Sequence, residues 1–198
     1  MEGSMLLTII LLSAHFNTLQ CKWNMAQKTY GMKKFLNTSF PIWTLYTTRG
    51  SKPRCEVDVK QYITRNSIEY HHFFYEGHER KNVIMEGVFD KNRKNRITVR
   101  PKVGSFTTVN EIVYLNGKCM CSVIRITVPF IRSRYLYDLR VWSKFVASRQ
   151  VADCVKKFNK FEPHGHLIYN ASCKNVFHTT AAVPQLQLPN PQMPRQKL

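Results

Sequence analysis

Between Ile42 and Trp142 the chain carries eight short runs rich in β-branched and aromatic residues, with no helical pattern between them. The runs span 42–48, 55–64, 67–75, 82–89, 96–100, 106–115, 119–128 and 134–142. Turn chemistry separates each from the next: Arg49-Gly50-Ser51-Lys52-Pro53, Arg65-Asn66, Gly77-His78, 91–94, 101–104 and Asn116-Gly117. Asn-Gly is the strongest of these signals, because both residues tolerate the positive φ that a type I′ hairpin turn needs. Parallel strands would need long crossovers, which the spacing leaves no room for. The pattern therefore predicts a mainly β fold, an eight-stranded antiparallel up-and-down barrel whose interior can hold one small ligand.

Helical periodicity flanks the barrel on both sides. The stretch 23–35 reads as a short N-terminal helix, stopped by Pro41. The stretch 145–161 places Val151, Val155 and Phe158 on one face with Cys154 beside them, and Arg149, Lys156, Lys157 and Lys160 on the other. A helix with one apolar stripe packs on something, here the outside of the barrel. The segment 167–173 then returns the chain to the barrel wall. At the N-terminus the apolar run 5–14 has the length of a secretory signal and falls well short of the roughly 20 residues that cross a bilayer. The tail has no periodicity and holds four of the nine prolines. The expected organisation is a signal peptide at 1–20, the barrel domain at 21–177 and a disordered tail at 178–198.

The six cysteines are Cys21, Cys55, Cys119, Cys121, Cys154 and Cys173. They contain no C-x-x-C pair and no zinc-finger spacing, so in a secreted chain they read as a disulfide framework. Two sequons, at Asn37 and Asn170, are consistent with the secretory pathway and mark expected glycosylation sites. Thirty Lys and Arg against twelve Asp and Glu give a net charge of +18. Such an excess attracts polyanions or acidic partners. Part of it gathers in Lys91-Asn92-Arg93-Lys94-Asn95-Arg96, at an expected hairpin tip.

Taken in order, these residues resemble the salivary lipocalins of ticks, the group that includes the histamine-binding proteins. The resemblance covers roughly 23–174. It rests on Trp43 in the first strand, Cys55 opening the second, Cys121-Ser122-Val123, Asp138-Leu139 in the last strand, and an ending of Cys154, Phe158, Tyr169 and Cys173. It implies the bridges Cys55–Cys173 and Cys121–Cys154, with Cys119 as the alternative partner of Cys154, the second bridge stapling the helix to the seventh strand. It also implies a protein that sequesters a small host mediator without turnover, either a biogenic amine such as histamine or serotonin, or a lipid acid such as an eicosanoid. In the amine binders a Cys-Asp-Val strand and a Glu-Leu-aromatic strand supply carboxylates to the ammonium. Here Ser122 replaces the first acid, Asp138 the second, and Arg140 the aromatic.

Strand alternation places Asp138, Arg140 and Trp142 on one face and Tyr137, Leu139 and Val141 on the other. If Asp138 points inward, so does Arg140, which would neutralise it or instead grip a ligand carboxylate. The same reasoning offers Trp43, Tyr70, Phe74, Phe106 and Tyr114 as ligand-lining candidates, with Tyr114 sharing the face of Phe106 and Ile112. Glu56 and Asp58 alternate with Cys55, Val57 and Val59 and are expected to face solvent. No catalytic motif is present, and neither His71-His72 nor His164-x-His166 makes a chelating set. The chain thus reads as a binding protein and not an enzyme, monomeric, with no metal, cofactor, nucleic-acid partner or membrane span. The alternative reading is a secreted interaction protein whose basic outer surface binds a host protein or a polyanion.

Overall fold

The computed structural model describes residues 31–50, 53–118, 120–128 and 135–177. The expected signal, Cys21, Cys119 and the tail lie outside the described residues. A short helix α1 (Met32–Leu36) leads into eight strands: β1 (Ile42–Thr47), β2 (Pro53–Ile63), β3 (Ser67–Glu76), β4 (Glu79–Phe89), β5 (Arg96–Pro101), β6 (Thr108–Asn116), β7 (Cys121–Thr127) and β8 (Leu136–Trp142). Each pairs antiparallel with the next, and β1 pairs with both β8 and β2, so the sheet closes into an up-and-down barrel. A 3-10 turn at Ser143–Phe145, helix α2 (Val151–Phe161), the short strand β9 (His166–Leu167) and a 3-10 segment at Ala171–Phe177 complete the described chain.

Turn chemistry sets where the strands end. Gly77 takes a positive φ of 62°, and the tight turn lets β3 and β4 pair out to Glu76 opposite Glu79. Strand β4 therefore begins three residues earlier than its apolar run. At the next hairpin of this kind, Asn116 accepts the Lys118 N–H through its side chain. The expected long helix over 145–161 is shorter because the Ser148 hydroxyl takes the Gln150 N–H, a local bond that competes with helical pairing.

Alternation along the strands sorts the apolar side chains into two clusters. One fills the barrel: Ile68, Ile97, Val99, Ile112, Ile124 and Ile126 converge from strands all round the wall. Met32, Phe35 and Leu36 of α1 join this cluster beside Ile42, Ile63, Phe89 and Trp142, residues from one and the same end of the barrel. The Trp142 indole donates to the Phe35 carbonyl at 3.0 Å. Thus α1 plugs that end, while the β1–β2, β3–β4 and β5–β6 connections ring the other. The second cluster lies outside the wall, where Val151, Cys154 and Phe158 of α2 bury Val123, Leu139 and Val141. The Cys121–Cys154 bridge fastens α2 there. A Cβ at Gly165 would collide with the Phe158 ring, so only glycine lets the following loop lie flat on the helix.

The barrel closes at a thin seam. Strands β1 and β2 share only two registered pairs, Ile42 with Asp58 and Trp43 with Val57. Beyond them the strands part, and Ile168 lies between: its N–H donates to the Leu45 carbonyl at 2.9 Å, and its carbonyl accepts the Cys55 N–H at 3.0 Å. Strand β9 pairs with β1 just before it, and Cys55–Cys173 locks the far side. A bulge at this point gives Cys55 a positive φ of 57°, which points its sulfur outward to the C-terminal segment. Replacing both Cys55 and Cys173 by alanine should cost about 2–5 kcal/mol, read as a lower guanidinium midpoint under oxidising conditions.

Candidate functional site

Polar side chains inside the barrel gather on one wall, made by β8, β1, β2 and β3. Register places Asp138 opposite Thr47 and Arg140 opposite Thr44. Asp58 stands opposite both Ile42 of β1 and His72 of β3. The side chains that meet are Arg49, Glu56, Asp58, Asp138 and Arg140. Arg140 donates from Nη1 to Asp58 at 2.8 Å and from Nη2 to Asp138 at 3.0 Å. Arg49, just past β1, reaches in to Asp138 at 3.1 Å and to Glu56. Thr47 donates to Asp138 at 2.8 Å, and the His72 Nδ1–H to Asp58 at 2.7 Å.

The cluster is buried. Glu56 is 1% exposed, Asp138 0%, Asp58 and Arg140 7% each. Burial alone would drive the Asp138 carboxyl upward, but Arg49 and Arg140 outweigh it and hold it below the usual carboxylate range. Asp58 behaves alike: burial raises it, while Arg140 and His72 bring it below its ordinary value. Arg140 opposes its own desolvation through Asp58 and Asp138, so it stays charged. Tyr70, buried beside Asp58, is held neutral by desolvation. Two guanidiniums thus face three carboxylates, with the His72 imidazole hydrogen-bonded to Asp58. The Oε1 of Glu56 is buried without a hydrogen-bond partner, as are Arg140 Nε and Asn110 Oδ1 across the barrel.

The opposite wall is aliphatic: Val99, Ile124, Ile126 and Met85 belong to the inner cluster. Tyr70, His72 and Phe74 stand in line on β3 between the two walls, the His72 and Phe74 rings 5.2 Å apart. Towards the unplugged end the inward side chains His72, Phe74, Val83 and Leu136 are only half-buried, so solvent reaches the cluster from there. The interior is amphipathic, charged on one side and greasy on the other.

Of the sequence-derived candidates, Tyr70, Phe74, Asp138 and Arg140 line this interior, and Trp142 forms its floor. Three others do not. Trp43 faces outward, its ring 5.1 Å from Tyr169 and 5.6 Å from Phe177, because it pairs with Val57 on the face that the C-terminal segment covers. Tyr114 leaves the face of Ile112 at a β-bulge between them and lies outside under Lys157 of α2. Phe106 is on no strand. Val99 already pairs with Thr108, so Phe106 sits in the β5–β6 loop, 57% exposed. Glu56 and Asp58 point inward, against the sequence expectation, and Arg49 and His72 complete the site. Their signal lay in Cys55: a cysteine that bridges to a segment outside the barrel sends its strand neighbour Glu56, and then Asp58, to the inside. Asn37 and Asn170 are both exposed.

No protein-family model matches the chain, and no curated protein matches it. Solved structures do. Apocrustacyanin C2 is similar at a TM-score of 0.52 and 9% identity, over 68% of this chain and 78% of that one. A deswapped triple mutant of bovine odorant binding protein is similar at 0.46 and 14%, over 66% and 93%. The likeness to apocrustacyanin C2 is one of fold, which here is a closed eight-stranded antiparallel barrel with a C-terminal helix.

Arg140→Met should destabilise the protein by about 3–5 kcal/mol at neutral pH, since it strands two buried carboxylates. Asp58 and Asp138 have folded values below their unfolded ones. Their contribution is therefore present above about pH 4 and lost as pH falls through the lower folded values. The gap between variant and wild-type melting temperatures should accordingly hold from pH 7 to 5 and narrow below about pH 4.

Proposed function

We propose that the protein is a secreted, non-enzymatic lipocalin-type carrier that sequesters one small cationic amine, of the histamine or serotonin kind, inside its barrel. The observation that carries this reading is the surplus carboxylate: three acids meet two guanidiniums, and Glu56 Oε1 is buried with nothing to bond. A buried carboxylate oxygen left bare costs about 1–3 kcal/mol. An ammonium group supplies three donors and a positive charge. The aromatic line of Tyr70, His72 and Phe74 offers π-faces to the ligand ring, and the aliphatic wall covers its apolar part.

Arg140 does not neutralise Asp138 alone, because Asp58 shares it. That removes the repulsion which Arg140, taken by itself, would exert on an amine. It also disfavours a lipid acid, whose carboxylate would need a free guanidinium fork. Both Nη atoms of Arg140 are already committed to Asp58 and Asp138, and Arg49 is spent on Glu56, Thr47 and Asp138. The resemblance to the tick salivary amine binders supports the same class of ligand, with Glu56 and Asp58 taking the place of the acid that Ser122 lacks. Two bridges, the apolar stretch 5–14 and the exposed sequons support secretion.

Calorimetric titration of the oxidised full chain with histamine, serotonin and leukotriene tests the reading. One-to-one binding of an amine is expected, weakened at least about 10-fold in Glu56→Gln, with leukotriene silent. Leukotriene bound one-to-one and both amines silent would overturn it.

A further inference from the structure

We propose that the plugged end of the barrel is a docking surface for a sulfated polysaccharide, separate from the interior site. Three turns and one helix converge there: β2–β3 at Arg65-Asn66, β4–β5 at 91–95, β6–β7 at Gly117-Lys118, and α1. They form one continuous surface. The Met32 N–H donates to the Lys94 carbonyl at 2.7 Å, and the Phe89 N–H to the Asn66 carbonyl at 2.8 Å. Lys33 Nζ donates to the Arg65 carbonyl at 3.3 Å. Onto this surface project Lys33, Arg65, Lys91, Arg93, Lys94 and Lys118.

Acid pairing divides this end from the side wall. Along the side four cations are matched by acids: Lys102 with Glu69, Arg100 with Glu86, Arg125 with Glu111, and Lys81 with Glu79. At the plugged end Glu111 is held by Asn95 and Arg125, and Asp90 has its Oδ1 taken by the backbone N–H groups of Asn92 and Arg93. Its other oxygen lies 3.9 Å from Arg96. The six projecting cations make no ion pair among the described residues. Three further acids, Glu56, Asp58 and Asp138, are withdrawn into the barrel. The +18 of the chain is therefore carried outside, and six of its cations project at this end.

The residues at the turn tips decide what kind of polyanion fits. They are lysine, arginine and asparagine, with no apolar side chain among Arg65-Asn66, Lys91-Asn92-Arg93-Lys94-Asn95 and Gly117-Lys118. A surface built for a bilayer would insert apolar groups. Val103 at 91% and Phe106 at 57% lie at the opposite end, and Phe40, Tyr62 and Val88, exposed nearer this one, stand off the turn tips. A single-stranded nucleic acid would want aromatic platforms, which the tips lack. Ammonium, guanidinium and amide donors spread over three turns suit the regularly spaced sulfates of an extended sugar chain.

The test uses immobilised heparin octasaccharide and the oxidised full chain at 0.15 M NaCl. Lys91→Glu/Arg93→Glu/Lys94→Glu and, separately, Lys33→Glu/Arg65→Glu are compared with a control on α2, Arg149→Glu/Lys156→Glu/Lys160→Glu. The two triple variants change the net charge equally, and melting curves confirm that each variant is folded. Expected are binding by the wild type, a loss of roughly 30-fold or more in the turn variant, a smaller loss in the helix-plug variant, and a change within about 3-fold in the α2 control. Equal losses in the turn and α2 triples would overturn the proposal, because attraction would then be diffuse. So would no heparin binding by the wild type, or binding to phosphatidylserine vesicles in its place. None of these outcomes bears on amine titration of the interior.

Discussion

A cluster of five charges, four of them buried, holds the barrel closed. Strands β1 and β2 share two backbone pairs, too few to make a wall. The gap is spanned inside by Arg49, which joins the end of β1 to Glu56 of β2 and Asp138 of β8, and by Arg140, which joins β8 to Asp58 across β1. Outside, the same gap is filled by the Ile168 backbone and locked by Cys55–Cys173. An ion pair withdrawn from water is costly unless each partner is matched. Here every guanidinium serves two carboxylates, so the network holds only as a whole. The proposed amine would draw on the residues that close the barrel, since it would meet the carboxylate left over after closure.

Most of the architecture was legible in the sequence because barrel strands announce themselves by alternation and turn chemistry, which are local. Residues 67–75 and 134–142 gave the inner faces of β3 and β8 correctly, since no bulge interrupts them between Tyr70 and Phe74 or between Asp138 and Trp142. Tyr114 was misplaced for the opposite reason. One extra residue beside Val113 reverses the face, and a bulge is set by the partner strand and not by local composition. Phe106 continued an apolar run past the point where β5 offered a partner. Glu56 and Asp58 look like the solvated face of a half-buried strand, and only their place beside an outward-bridging cysteine says otherwise. Arg49 sat in a segment read as a turn. A long side chain can return from a turn into a barrel, and sequence spacing does not record that.

The molecule also separates its charges. Among the described residues three acids lie within the barrel and several others are paired along its side, while cations without acid partners gather at the plugged end and on α2. Interior and exterior charges are each arranged by a different device. Inside, burial forces pairing, and Glu56 Oε1 is the carboxylate oxygen it leaves without a partner. Outside, water screens the cations, so they need no partners and can be numerous. A ligand held inside and a polyanion held at the plugged end would meet different chemistry and could be bound together.

The wedge at Ile168 has a consequence for the order of assembly. Strand β1 is among the first parts of the domain to leave the ribosome, yet it finds β8 only after some ninety residues more and Ile168 later still. The Cys55–Cys173 bridge spans 118 residues. Until the C-terminal segment emerges, the nascent sheet lies open, with β1 and β2 presenting unpaired edges and the charged cluster wet. Such non-local closure is slow and exposes strand edges to other chains. Oxidation of the last cysteine is thus the molecular signature of a finished barrel.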